Sequence, residues 1–223
     1  MELGTYAFPV LCDFLNPNKP SLKICGVTLA ADAERLATMH IDALGVNFWP
    51  KSKRFLNPDD ADFLKPLAGR ILRVGVFVNA DPDHPRELFQ RGLIDAVQLH
   101  GDESREEAQA YLDDKIPVIK ALGIRNEDDL KAAADFPADA LLLDAHAPGL
   151  YGGTGQTIDW IAAAEFIESH PNLSIILAGG IVPENAAEAL ATVHPAALDT
   201  ASGSESSPGI KDFEKVAALN ALF

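Results

Sequence analysis

Eight short apolar runs, each followed by a longer stretch of mixed polarity, constrain the fold of this chain more than any other feature. They occupy residues 22–27, 43–48, 72–78, 96–99, 118–122, 140–143, 175–178 and 196–198. Near-continuous apolar runs are what strands look like when both faces are buried, as in a parallel sheet sheathed by helices. The stretches between them read as helices at 30–39, 58–67, 104–112, 127–134, 159–169 and 183–191. Asn57-Pro58 and Val182-Pro183 read as helix starts, because proline suits the first turn. Eight such units in 223 residues predict an α/β protein, a single (β/α)₈ barrel spanning residues 21–223. An open doubly wound sheet would carry a glycine-rich first turn, and Cys25-Gly26-Val27-Thr28 is not one.

Residues 1–20 stand apart as an N-terminal extension. Tyr6, Phe8, Leu11, Phe14 and Leu15 are apolar, and Asn16 to Pro20 reads as a linker. In a barrel the chain enters strand one from the face opposite the chemistry. The segment is therefore expected to cover the barrel bottom or to meet a second subunit in a homodimer.

The net charge of −15 argues against a nucleic-acid partner, since phosphate backbones are bound by basic surfaces. It also means that an anionic ligand would need a basic or dipolar pocket inside an acidic exterior. Two cysteines, Cys12 and Cys25, make no disulfide framework, and a reducing cytoplasm is the expected location. No membrane span and no signal peptide are expected, because no apolar stretch approaches the required length and Glu2 and Asp13 interrupt the start.

Barrel chemistry sits at the C-terminal ends of the strands, so the polar residues there carry the functional reading. Cys25 ends the first run; a cysteine in that place is often only a small packing residue. Asp144 follows three leucines at the end of the sixth run, where it either caps the next loop or acts in chemistry. The loop after it holds Gly149, Gly152, Gly153 and Gly155, the composition of a lid. Lys51-Ser52-Lys53-Arg54 follows the second run, and Arg54 has the fork geometry to hold a carboxylate. Gly179 and Gly180 follow run seven, and Ser202 and Gly203 follow run eight, the two places where these barrels bind phosphate. The residues alone thus point to a phosphate-binding barrel doing acid–base chemistry on a small phosphorylated anion, without naming it.

Several motifs, taken in order, carry a closer resemblance. They include Lys23-Ile24-Cys25-Gly26, Trp49 to Arg54, Val74 to Asn79, Val97 to Gly101, Leu143-Asp144, Gly152 to Gly155, Leu177 to Gly180 and Asp199 to Gly203. Over residues 21–223 the chain resembles the phosphoribosylanthranilate isomerases of tryptophan biosynthesis. The resemblance implies an Amadori rearrangement of N-(5-phosphoribosyl)anthranilate to 1-(2-carboxyphenylamino)-1-deoxyribulose 5-phosphate, with no metal and no organic cofactor. It implies Asp144 as the general acid that opens the ribose ring and Cys25 as the general base at C2. Arg54 would face the anthranilate carboxylate, and Gly179, Gly180, Ser202 and Gly203 would form the phosphate site. The chain departs from the family pattern at Asn47, where an apolar residue is expected, and at Ala201, where serine is common. Two other enzyme readings fit less well. The histidine-pathway isomerase would carry an aspartate at position 25, and indole-glycerol-phosphate synthase needs a lysine–glutamate set that this sequence does not place. A barrel kept only for binding would have no need of both Cys25 and Asp144.

Overall fold

The computed structural model describes residues 11–16, 19–145 and 157–223. Eight parallel strands close into a barrel: β1 (Ser21–Ile24), β2 (Ala43–Asn47), β3 (Leu72–Phe77), β4 (Ala96–Leu99), β5 (Val118–Ile124), β6 (Ala140–Ala145), β7 (Ile175–Leu177) and β8 (Ala197–Thr200). β1 pairs with both β2 and β8, which closes the ring. A short helix α1 (Leu11–Phe14) precedes it, and the outer layer holds α2 (Ala30–Thr38), α3 (Asp83–Gln90), α4 (Arg105–Asp113), α5 (Glu127–Ala133), α6 (Trp160–Ser169), α7 (Ala186–Val193) and α8 (Phe213–Asn220). Strands β9 (Glu205–Ser207) and β10 (Ile210–Lys211) form a small antiparallel hairpin after β8. Among the described residues, no helix is long and apolar enough to cross a membrane.

Local chemistry explains most element ends. Ser104 and Glu107 form a reciprocal capping box at the start of α4, and Asp159 and Asp212 cap α6 and α8. The segment Pro58–Leu67 starts where Asn57-Pro58 predicts, but it is a 3₁₀ helix. Pro66 has no N–H to donate to an i−4 carbonyl, which opposes a regular α-helix there. The helix expected to open at Val182-Pro183 begins three residues later. The Asn185 side chain accepts from the Val182 N–H and donates to the Gly180 carbonyl, so a turn occupies that stretch first.

Side-chain parity along the strands decides what faces the barrel interior. Ala43, Leu72, Val74, Ala96, Ile119, Ala121, Ala140, Leu142, Ile176, Ala178 and Ala197 form one buried cluster inside the ring, and the alternate residues pack against the helices. Four positions of the interior's lower layer are alanine, which leaves the floor wide. Leu11, Phe14 and Leu15 belong to this same cluster, so α1 plugs the floor. Of the two expectations for the N-terminal segment, its described part meets the first. Tyr6 and Phe8 lie outside the described residues.

Phe14→Ala is expected to cost about 3 kcal/mol of stability, because it empties a filled space in the floor. For a domain of this size that lowers Tm by roughly 6–12 °C. kcat should stay within about threefold, since the catalytic face is at the other end. Thermal melts and steady-state kinetics on the variant check this, and a large kcat loss with an unchanged melt would contradict the placement.

Candidate active site

A cavity of about 300 Å³ opens at the C-terminal ends of the strands. Cys25, Arg54, Asp144, Gly179, Gly180 and Ser202 all line it. The inward parity that builds the hydrophobic floor continues upward into this polar layer: Cys25 above Lys23, Asn47 above Gly45, Asp144 above Leu142.

Cys25 is held from both sides. Its N–H donates to the Thr200 carbonyl of β8 at 2.8 Å, and its own carbonyl accepts from the Lys211 ammonium of β10. Gly26, at φ +78°, turns the chain away, and a side chain there would collide with the Arg54 side chain. Two residues below the sulfur, Lys23 is fully buried and paired with Asp199 at 2.8 Å. Burial pushes the Cys25 thiol above its ordinary range, against the pull of the Lys23 and Lys211 ammonium groups.

Asp144 is the penultimate residue of β6, with one carboxylate oxygen on the Ala145 N–H at 2.8 Å. The other lies 3.5 Å from His100 Nε2, and Gln98 Nε2 sits 3.2 Å from His100 Nδ1. A chain of polar groups thus runs from the buried Gln98 through His100 to the carboxylate. The glycines of the expected lid, Gly149, Gly152, Gly153 and Gly155, lie outside the described residues.

Arg54 is not a bare cation. Its Nε and Nη2 grip the Glu205 carboxylate at 2.6–3.0 Å, and Lys211 reaches the same carboxylate at 2.9 Å. Burial would raise the Glu205 carboxyl, but the hydrogen bonds from Arg54 and the Lys211 charge hold it below its ordinary value. The pair uses two guanidinium nitrogens and leaves Nη1 as the one not engaged by Glu205. Lys51 and Lys53 are exposed, yet they line the same cavity, so its rim is basic in an acidic protein.

Gly179 and Gly180 both have positive φ, at +80° and +64°, a backbone turn that side chains other than glycine rarely adopt. Ser202 and Gly203 open a short 3₁₀ helix, Ser202–Ser204, directly after β8. A Cβ on Gly203 would collide with the Ile181 carbonyl and come within 2.7 Å of Thr200 Oγ1. The turns after β7 and β8 therefore pack against one another, forming the kind of backbone cradle that binds phosphate in such barrels.

Cys25, Arg54, Asp144, Gly179, Gly180 and Ser202 are brought together at one mouth, with Gly203 packed directly behind it. His100, given no role from sequence, also lines it, and Lys23, Glu205 and Lys211 lie behind the wall in contact with Asp199, Arg54 and Cys25. Lys23 carries a visible signal, a charge inside an apolar run. Glu205 and Lys211 reach the site only because the β9–β10 hairpin folds back under Arg54, which no local pattern announces.

Fold and site together define a (β/α)₈-barrel enzyme whose mouth sets two glycine turns between a thiol and a carboxyl group. The family model for N-(5′-phosphoribosyl)anthranilate isomerase matches residues 22–221. The N-(5′-phosphoribosyl)anthranilate isomerase of Myxococcus xanthus is 44% identical over 205 residues, covering 89% of this chain and 93% of the relative. A crystal structure of monomers generated from the dimeric Thermotoga maritima enzyme superposes with a TM-score of 0.80 at 33% identity, covering 92% of this chain and 98% of that one. A phosphoribosyl anthranilate isomerase bound to reduced 1-(o-carboxyphenylamino)-1-deoxyribulose 5-phosphate gives 0.78 at 34% identity, covering 91% and 97%. The chain belongs to the N-(5′-phosphoribosyl)anthranilate isomerase family, the isomerases of tryptophan biosynthesis.

Proposed function

We propose that this chain carries out the family's Amadori rearrangement with Asp144 as acid, Cys25 as base and Arg54 as the anchor of the anthranilate carboxylate. The observation that carries this reading is the order of parts around the ring. The strand order β6-β7-β8-β1-β2 places Asp144 first, the two glycine turns of the phosphate cradle next, then Cys25, then Arg54. A phosphate seated in the cradle sets the attached ribose between the acid and the base, with the aromatic end toward Arg54.

Protonation of the ribose ring oxygen by Asp144 breaks the C1–O bond and leaves a Schiff base with the anthranilate nitrogen. The Cys25 thiolate then takes the C2 proton, and the electrons of that C–H bond move to form the enolamine. Tautomerisation gives the 2-ketone product. His100, beside Asp144, is placed to steady the carboxylate left by the first step. Each positioned acid or base typically contributes about 10²–10⁴-fold. A thiol base suits a reducing cytoplasm, and the dimeric relative makes self-association part of the reading.

The test is a fluorescence assay of purified protein with freshly made N-(5-phosphoribosyl)anthranilate, with the product identified by mass. Enzyme-dependent consumption to an isomer of unchanged mass supports the reading. Consumption only at the spontaneous rate overturns it.

A further inference from the structure

Lys23 and Asp199 form a buried ion pair at the wall of the catalytic cavity, which Asp199 lines, and the reading above leaves it unused. The pair is cross-strand, with Lys23 and Asp199 in register between β1 and β8 and their charged atoms 2.8 Å apart. The Lys23 side chain is 0% exposed. An apolar pair of similar volume would serve stability as well or better, since both charges lose their water. What it would not do is face a sulfur. Position 45 of β2 is glycine, and a Cβ built there would lie 2.7 Å from Cys25 Sγ and 3.1 Å from Lys23 Nζ. Both atoms thus press into the one notch that Gly45 leaves, and a side chain there would wedge between them.

We propose that Lys23 is the positioning residue that favours the Cys25 thiolate against the burial that disfavours it, readying the sulfur for proton transfer, with Asp199 as its anchor. This rests on Cys25 being the base. Four charged groups face the sulfur's surroundings: Lys23 from β1, Asp199 from β8, Lys211 from β10 and Arg54 from the loop after β2. Lys211 is tied to Glu205 and to the Cys25 carbonyl, and Arg54 to Glu205. Lys23 is the cation on the side-chain face of Cys25, its ammonium beside the same Gly45 notch as the sulfur. Burial alone would lower the Lys23 ammonium, but Asp199 and then the Cys25 sulfur hold it above its ordinary value, so it stays charged. When the thiolate takes the C2 proton, the site passes from Asp199⁻–Lys23⁺–Cys25⁻ to Asp199⁻–Lys23⁺–Cys25–SH. The proton has moved from carbon to sulfur, and Lys23 keeps its own.

The experiment uses the full chain carrying Cys12→Ser, because Cys12 is exposed and would also react. The pH midpoint of iodoacetamide alkylation at Cys25 and the pH profile of kcat/KM are measured for the parent, Lys23→Met and Asp199→Asn. Lys23→Met is expected to raise the midpoint by at least about one pH unit, and kcat/KM near neutrality should fall at least about tenfold with the thiolate fraction. If Lys23→Met leaves Asp199 unpaired and the protein unfolds, Lys23→Met/Asp199→Asn is compared with Asp199→Asn alone, and the midpoint should again rise. An unmoved midpoint in a folded variant overturns the proposal, since a purely structural pair would change stability without retuning the thiol. A midpoint that moves while the kcat/KM profile stays fixed overturns Cys25 as the base instead.

Discussion

Cys25→Ala and Asp144→Asn are each expected to lower kcat by at least about 10²-fold while the far-ultraviolet circular dichroism stays that of the parent. Neither side chain belongs to the hydrophobic interior. Cys25 lines the cavity, and the hydrogen bonds that fix its backbone, to the Thr200 carbonyl and from Lys211, survive the loss of the thiol. Asn at position 144 keeps an oxygen for the Ala145 N–H but has no acidic proton to give. Because the two groups act in successive steps on one substrate, the double variant should lose less than the product of the single losses. Steady-state kinetics with circular dichroism on all three proteins checks this. Near-parental kcat in either single variant would remove that residue from the mechanism.

The second large effect is expected at Arg54. Arg54→Ala should lose about 2–4 kcal/mol in kcat/KM, as truncation of a charge-assisted carboxylate contact does. Since the Glu205 carboxylate already takes Nε and Nη2, the guanidinium is held rigid before substrate arrives, and little side-chain freedom is left to lose on binding. Arg54→Lys keeps the charge without the fork and should fall between parent and Arg54→Ala. Lys51→Ala and Lys53→Ala should cost much less, because those exposed ammonium groups act through screened solvent. Equal losses at positions 51, 53 and 54, together with a strong salt dependence, would mean diffuse attraction at the rim in place of a specific contact.

The barrel could be read from the chain because each strand is buried on both faces and so spells a short apolar run that helical segments never imitate at that spacing. The eight runs lie on the eight strands to within a few residues. The bounds of helix α3 (Asp83–Gln90) are hidden in the sequence, since Pro82 and Pro85 break up the pattern, although both sit where a helix start tolerates proline. α8 is hidden for another reason: its apolar residues follow a hairpin that has no barrel periodicity. In the site, strand-end residues such as Cys25 and Asp144 stood out because a polar group after an apolar run needs a reason. Arg54 was legible as a cation but not as half of an ion pair, because Glu205 lies far along the chain and approaches it only through the β9–β10 hairpin. The same distance hid Lys211 behind the Cys25 carbonyl. The role of Gly45 was also invisible, because its meaning depends on which side chains of the neighbouring strand point into the same notch.

The central claim is that Cys25 removes the C2 proton. Its most direct test follows substrate deuterated at ribose C2 through single turnovers of the parent and of Cys25→Ala, with mass spectrometry reporting how fast the deuterium leaves carbon. The parent is expected to remove it at the rate of isomerisation, slowed by the heavier isotope, and Cys25→Ala is expected to retain it, with removal slowed at least about 10²-fold. Deuterium leaving C2 at the parental rate in Cys25→Ala would show that another group is the base.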